Sequence, residues 1–175
     1  MKRQGDFIGL IADYENCVHA FCRAAMGKEN RPDVVFFRAN LNREIHAILH
    51  SLEQGRMFPF QYRSFTIADP KPRIIQVAPF SVRVVHHAVM NVIGDFLERR
   101  QYGHSYACLK GKGTHAAIDY VRASIDGNSW YLKMDVRKFF DSISHDVLLS
   151  QLKKIIKDQK LLLLLNDIIR GFHTG

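Results

Sequence analysis

The stretch from Trp130 to Ile143, WYLKMDVRKFFDSI, decides how the rest of the chain is read. Taken at period two, Trp130, Leu132, Met134 and Val136 share one face, and Tyr131, Lys133 and Asp135 share the other. That pattern predicts a strand with an apolar face for a core and a carboxylate on its polar face at the C-terminal end. Phe139 and Phe140 follow within one turn. A carboxylate at a strand end, a tight turn and a ring close behind would suit a bound metal ion and a nucleotide sugar. The same pattern also describes an ordinary core strand ending in a solvated aspartate, and spacing alone does not choose between the two.

Working outward, the composition bounds the answer. A chain of 175 residues with 47% hydrophobic and 24% charged residues is long enough for one domain with a core, or two small subdomains, and is globular in type. The formal net charge of +8, from 25 Lys and Arg against 17 Asp and Glu, favours a polyanionic partner, nucleic acid above all. Three cysteines, Cys17, Cys22 and Cys108, with no CxxC pair, argue against a disulfide framework or a zinc ribbon and fit a reducing cytoplasm. The N-terminal MKRQGDF has no long apolar run behind it, so no signal peptide is read there. The leucine run Leu161 to Leu165 is too short to span a bilayer, and no membrane partner is expected.

Upstream, Phe7, Leu10, Ile11, Tyr14, Val18, Phe21 and Ala25 recur at helical spacing and predict one helix over 6–27, ended by Gly27. Phe37, Leu41, Ile45, Ile48 and Leu52 predict a second over 33–53, closed by Gly55. The period then changes. Residues 63–67 and 73–77 alternate around Ala68-Asp-Pro-Lys-Pro72, which predicts a β-hairpin with Lys71 and Arg73 at or beside its tip. Two cations there could reach a phosphate, or could be no more than an exposed basic turn.

A helix from Pro79 and Ser81 to about Arg100 follows, with Val84, Ala88, Val92 and Phe96 on its apolar face. The adjacent His86 and His87 point to different sides of it and are read as packing or surface residues. In LKGKGTH, two glycines alternate with Lys110 and Lys112 directly before a helix over 115–125 with Ala117, Ile118, Val121 and Ile125 on one face. That is either a phosphate-contacting turn or a flexible basic loop, and the Walker A spacing is missing. After the central stretch, Ser144 can cap a helix holding Val147, Leu148, Leu152 and Ile155, and a last helix spans about 158–170.

Together these segments resemble the front half of a reverse transcriptase. PKPRIIQVAPFSVRVVHHAV resembles that family's first fingers motif, SYACLKGKGTHAAI its second, and YLKMDVRKFFDSISHDVLL its palm motif A. The wording is closest to bacterial enzymes of diversity-generating retroelements, with retron and group II intron enzymes as near relatives. The resemblance covers about residues 60 to 175. One position departs from it: Val82 precedes Arg83 where the family usually has an acidic residue, which removes a local ion-pair partner.

The resemblance implies an α+β fold: mostly helical fingers with a β-hairpin, then the first strand and helices of a palm. The apolar spacing gives an N-terminal helical segment over 1–57, and the resemblance implies fingers over 58–128 and a partial palm over 129–175. By it, Asp135 would be the first catalytic carboxylate and a metal ligand, with the Val136 carbonyl beside it. Lys71 and Arg73 would hold an incoming dNTP. Phe140 would lie under its sugar, with Phe139 alongside. Arg83, Lys110 and Lys112 would contact nucleic acid. The implied partners are an RNA template, a DNA primer, a dNTP and Mg2+ or Mn2+, in the cytoplasm, with an accessory protein left open.

The family's Tyr-x-Asp-Asp motif is absent from this sequence, as is the thumb. The expectation is therefore a fragment that binds Mg2+ weakly, does not polymerise alone and self-associates through an incomplete palm. Two other readings stay open: a non-catalytic basic module that grips RNA or an RNA–DNA duplex, and a structural helical protein.

Overall fold

In the computed structural model the described residues are 3–58, 61–68, 72–125, 127 and 130–171, the side chain of Asp141 apart. The fold class is α+β, mostly helical with a two-stranded antiparallel hairpin. Two compact units are present: Met1–Ile93 with Ile143–Gly175, and Gly94–Ser142.

The first unit begins with α1 (Ile8–Ile11) and α2 (Tyr14–Ala25). The single helix expected over 6–27 is broken at Ala12–Asp13, because the Asp13 carboxylate accepts from Asn16 N (2.9 Å) and caps α2. Asn16 in turn donates to the carbonyls of Ile11 and Ala88, 3.1 Å each. Gly27, at φ 70°, ends the helix as expected. The second expected helix is also two: α3 (Pro32–Ala39) and α4 (Leu41–Glu53), parted at Asn40, whose side chain donates back to Phe36 O (3.0 Å). Asn40 thus satisfies a carbonyl at the end of α3, where the ladder would otherwise run on.

Strands β1 (Arg63–Ala68) and β2 (Pro72–Val77) pair from Arg63↔Val77 to Ala68↔Pro72, as the alternation predicts. Helix α5 (Phe80–Glu98) follows. A cluster of rings anchors its start. Phe21 and Phe37 stack at 5.3 Å, and Phe80 meets Phe37 edge-on at 5.2 Å. Ile11, Ile45, Ile48 and Leu52 are fully buried with them.

In the second unit, α6 (Thr114–Ile125) follows the glycine loop. None of its residues is buried, although Ile118, Val121 and Ile125 form the stripe expected of a packing helix. The single turn α7 (Phe139–Ser142) lies behind the central stretch. The chain returns to the first unit in α8 (His145–Ile155), capped by Ser144 as expected, and α9 (Gln159–Gly171). On α8 the buried residue is Leu149, while Val147 and Leu148 of the expected stripe are exposed.

Leu161, Leu162, Leu164 and Leu165 bury the leucine run in the core. Helix α9 reaches α1 and α4 through polar contacts. Asp158 Oδ2 accepts from Phe7 N (2.9 Å) and Ile8 N (2.8 Å), and its Oδ1 from Leu161 N (3.1 Å). Lys160 Nζ donates to Glu53 O (2.8 Å), and Asp167 pairs with Arg56 (3.0 Å). At Gly55, φ 64°, an added Cβ would come within 2.9 Å of the Lys160 backbone, so glycine is required there both for the turn and for the close approach.

The strand expected over 130–136 does not form. These residues have no regular structure, and the face read as a core face is open: Trp130 is 91% exposed, Leu132 80% and Met134 81%. A strand exists only as half of a ladder, and among the described residues no segment pairs with this one. The strand expected to open a partial palm over 129–175 is therefore not formed among the described residues.

Candidate nucleic-acid interface

In the first unit the basic positions lie on and beside the hairpin. Arg63 and Arg73 project from the same face of it, with Phe65, Ile67 and Ile75 between them, because alternate residues of paired strands share a side. Arg73 is exposed and has no ion-pair partner among the described residues. Lys71 lies outside the described residues. At the hairpin's base a cavity of about 450 Å³ is lined by Arg31, Asp33, Arg63, Pro79 and Phe80, among others.

Arg83 is in a different state. Its guanidinium is 3.2 Å from Asp33 of α3 and lies over the Phe80 ring at 5.2 Å; its side chain is 19% exposed. The sequence puts buried Val82 where an acidic neighbour would stand, and the acidic partner arrives instead from a residue fifty positions away. Next along α5, burial and then His87 hold the His86 imidazole below its ordinary pKa. Burial, followed by the charges of Arg23, Lys28 and Arg83, does the same at His87.

In the second unit, Gly111 (φ 70°) and Gly113 (φ 120°) turn the loop into α6 with open space around both. The two lysines expected to act together are separated by their partners. Lys112 Nζ donates to Gly103 O and lies 5.2 Å from the centre of the Tyr106 ring, so it braces the loop. Lys110 is exposed on the rim of a shallow cavity of about 230 Å³ that it lines with Arg99, Tyr102 and Lys112.

Asp135 is exposed and Val136 is 59% exposed. The chain then turns through Lys138 at φ 50°, and Phe139 and Phe140 follow at 51% and 76% exposure, ring centres 5.3 Å apart. The carboxylate, tight turn and aromatic pair are thus all present and open to solvent. Among the described residues no three His, Cys, Asp or Glu side chains gather where a metal ion could sit. A hard dication takes about six oxygen ligands. One carboxylate and one carbonyl are the right kind of donor but do not fit a resident ion by themselves, still less two.

Sequence reasoning missed the row of rings Tyr102, His104, Tyr120 and Tyr106. The signal available was a density of aromatics in YGHSY, next to the lysine-glycine loop.

No family model matches the chain. It is 31% identical over 91 residues to nuclear intron maturase 1, mitochondrial, of Arabidopsis thaliana, a match covering 52% of this chain and 13% of that protein. It is 24% identical over 131 residues to the group II intron-encoded protein LtrA of Lactococcus lactis, covering 73% of this chain and 22% of that one. An uncharacterized 91 kDa protein in the cob intron of Schizosaccharomyces pombe is 27% identical over 113 residues, covering 64% and 13%. The chain spans less than a quarter of the length of each. These three relatives are thus, by name, an intron maturase, a group II intron-encoded protein and a protein in an intron, and the chain is similar to each over part of its length, in keeping with the resemblance of its three motifs.

Proposed function

We propose that this chain is the fingers and first palm segment of an RNA-directed DNA polymerase of the intron-encoded kind, and that by itself it binds RNA without extending a primer. The observation that carries this is the state of Asp135. Its carboxylate is exposed beside an open aromatic pair, yet among the described residues it belongs to no group of three or more metal-ligating side chains. Nucleotidyl transfer with two ions needs several carboxylates to hold the dications against phosphate. The described groups therefore support binding and positioning.

In a chain that also carries the Tyr-x-Asp-Asp carboxylates, Asp135 would be one ligand to Mg2+ or Mn2+, with the Val136 carbonyl beside it. In the second unit the Phe140 ring would bear on a nucleotide sugar, with Phe139 packed against it; in the first, Lys71 and Arg73 would attract phosphate. Lys110 would meet the backbone of template or primer. Arg83 and Lys112, engaged by Asp33 and by Gly103 O, would act by holding the surface in shape.

The test is primer extension on an RNA template beside an RNA titration with salt. The expected result is no extension, and RNA binding that weakens steeply as salt rises, since counterion release drives it. Extension by this chain that Asp135→Ala abolishes would overturn the claim of binding without chemistry. Absence of RNA binding even at low salt would overturn the binding itself.

A further inference from the structure

Four rings of the second unit form a continuous row, three of which, Tyr102, His104 and Tyr120, lie outside the three motifs. Tyr102 meets His104 at 5.4 Å between centroids, His104 meets Tyr120 at 4.6 Å, and Tyr120 meets Tyr106 at 5.8 Å. The row is not a buried cluster. Tyr102 is 75% exposed, Tyr120 is 43% exposed, and His104 is exposed as well. Rings serving only to hold the loop on α6 would gain by leaving water, and here most of the row stays in it. Cations border it. Arg99, Lys110 and Lys112 line the shallow cavity that Tyr102 also lines, and Lys112 lies over the Tyr106 ring. Solvent-facing π surfaces next to exposed cations are what unpaired nucleotides need: a face for each base and a charge for each linking phosphate.

We propose that Tyr102, His104, Tyr120 and Tyr106, bordered by Arg99 and Lys110, form a stacking platform for the unpaired nucleotides of an RNA strand. This deepens the RNA-binding reading above and rests on it. A duplex keeps its base faces stacked on one another and offers the platform only phosphates. The rings therefore discriminate single-stranded from double-stranded RNA, while the cations attract both. Tyr102, at the exposed end of the row, offers the most free surface and is the first contact for a base.

The experiment titrates the 175-residue chain with a short unstructured single-stranded RNA and with a blunt RNA duplex of the same strand length. Tyr102→Ala should weaken single-strand binding about tenfold, the order expected for losing one base–aromatic stack, and leave duplex binding and the salt dependence unchanged. Tyr102→Phe should bind like the unaltered chain. Tyr102→Leu, with similar bulk and no π face, should behave like the alanine variant, which separates stacking from packing. Lys110→Ala should weaken both RNAs and flatten the salt dependence. Full single-strand affinity in Tyr102→Ala, or an equal loss on both RNAs, overturns the platform while leaving the basic surface standing. No binding of either RNA by the unaltered chain at low salt overturns both.

Discussion

Replacing Asp158 by alanine should destabilise the first unit by about 2–4 kcal/mol. One carboxylate serves two helix starts. Its Oδ1 accepts from Leu161 N, the third helical residue of α9, and its Oδ2 from the amides of Phe7 and Ile8 at the start of α1. Losing a helix N-cap costs about 0.5–2 kcal/mol. The other two bonds also run to a charged acceptor and are partly buried, so leaving those amides to imperfect hydration adds about 1 kcal/mol each. The whole is a sizeable share of the roughly 5–15 kcal/mol by which a domain is stable.

The loss should begin at the N-terminal end. Gln4 N donates to Ile155 O (3.0 Å) and Gln4 O accepts from Lys157 N (2.7 Å), and the Arg3 guanidinium donates to Ile156 O. Urea unfolding followed by far-ultraviolet circular dichroism measures the change, and limited trypsin digestion at Arg3 reports the local release. Asp158→Asn, which keeps an acceptor oxygen but loses the charge, should fall about midway. A shift below about 0.5 kcal/mol for the alanine variant would refute the double cap, because no surface aspartate matters so little when it caps two helices.

Three further outcomes are expected. His86 and His87 have lowered imidazole pKa values in the folded state, so the unfolded chain binds protons first; stability is full above the ordinary 6.5 and is lost as pH falls through it toward the lowered folded values. The melting temperature should therefore be lower at about pH 5.5 than at about pH 7.5, with the difference reduced in His86→Gln; an unchanged difference would place the cause elsewhere. Arg73→Ala should lower the slope of RNA affinity against salt by about one unit and leave stability alone, whereas Arg83→Ala should cost about 1 kcal/mol through its lost contacts with Asp33 and Phe80 and change the slope little; the reverse pattern would exchange their roles. The open apolar residues Trp130, Leu132 and Met134 should drive self-association that serine at all three abolishes, and a clean monomer by light scattering at high concentration would count against it.

The sequence by itself determined what depends on near neighbours. The stripe Phe37, Leu41, Ile45, Ile48 and Leu52, the hairpin pairing, the glycine ends at Gly27 and Gly55 and the Ser144 cap all involve groups a few residues apart, and each is found, although the stripe runs over two helices rather than one and Leu41 is only half-buried. The order of the three motifs likewise pointed to the relatives found. What only the tertiary structure decided depends on distant partners. Alternation in WYLKMDV says which residues share a face, but not whether another strand is there to complete the ladder. Asp158 reaches Phe7 across 151 positions, and Asp33 reaches Arg83 across 50, and neither partner is marked by any spacing. Lys110 and Lys112 look equivalent as letters, yet a carbonyl and a ring engage Lys112, while Lys110 is exposed with no partner among the described residues. A short-range code can specify an element's period and its caps; whether a charge is free or an apolar face is covered is settled by whichever groups the folded chain brings against it.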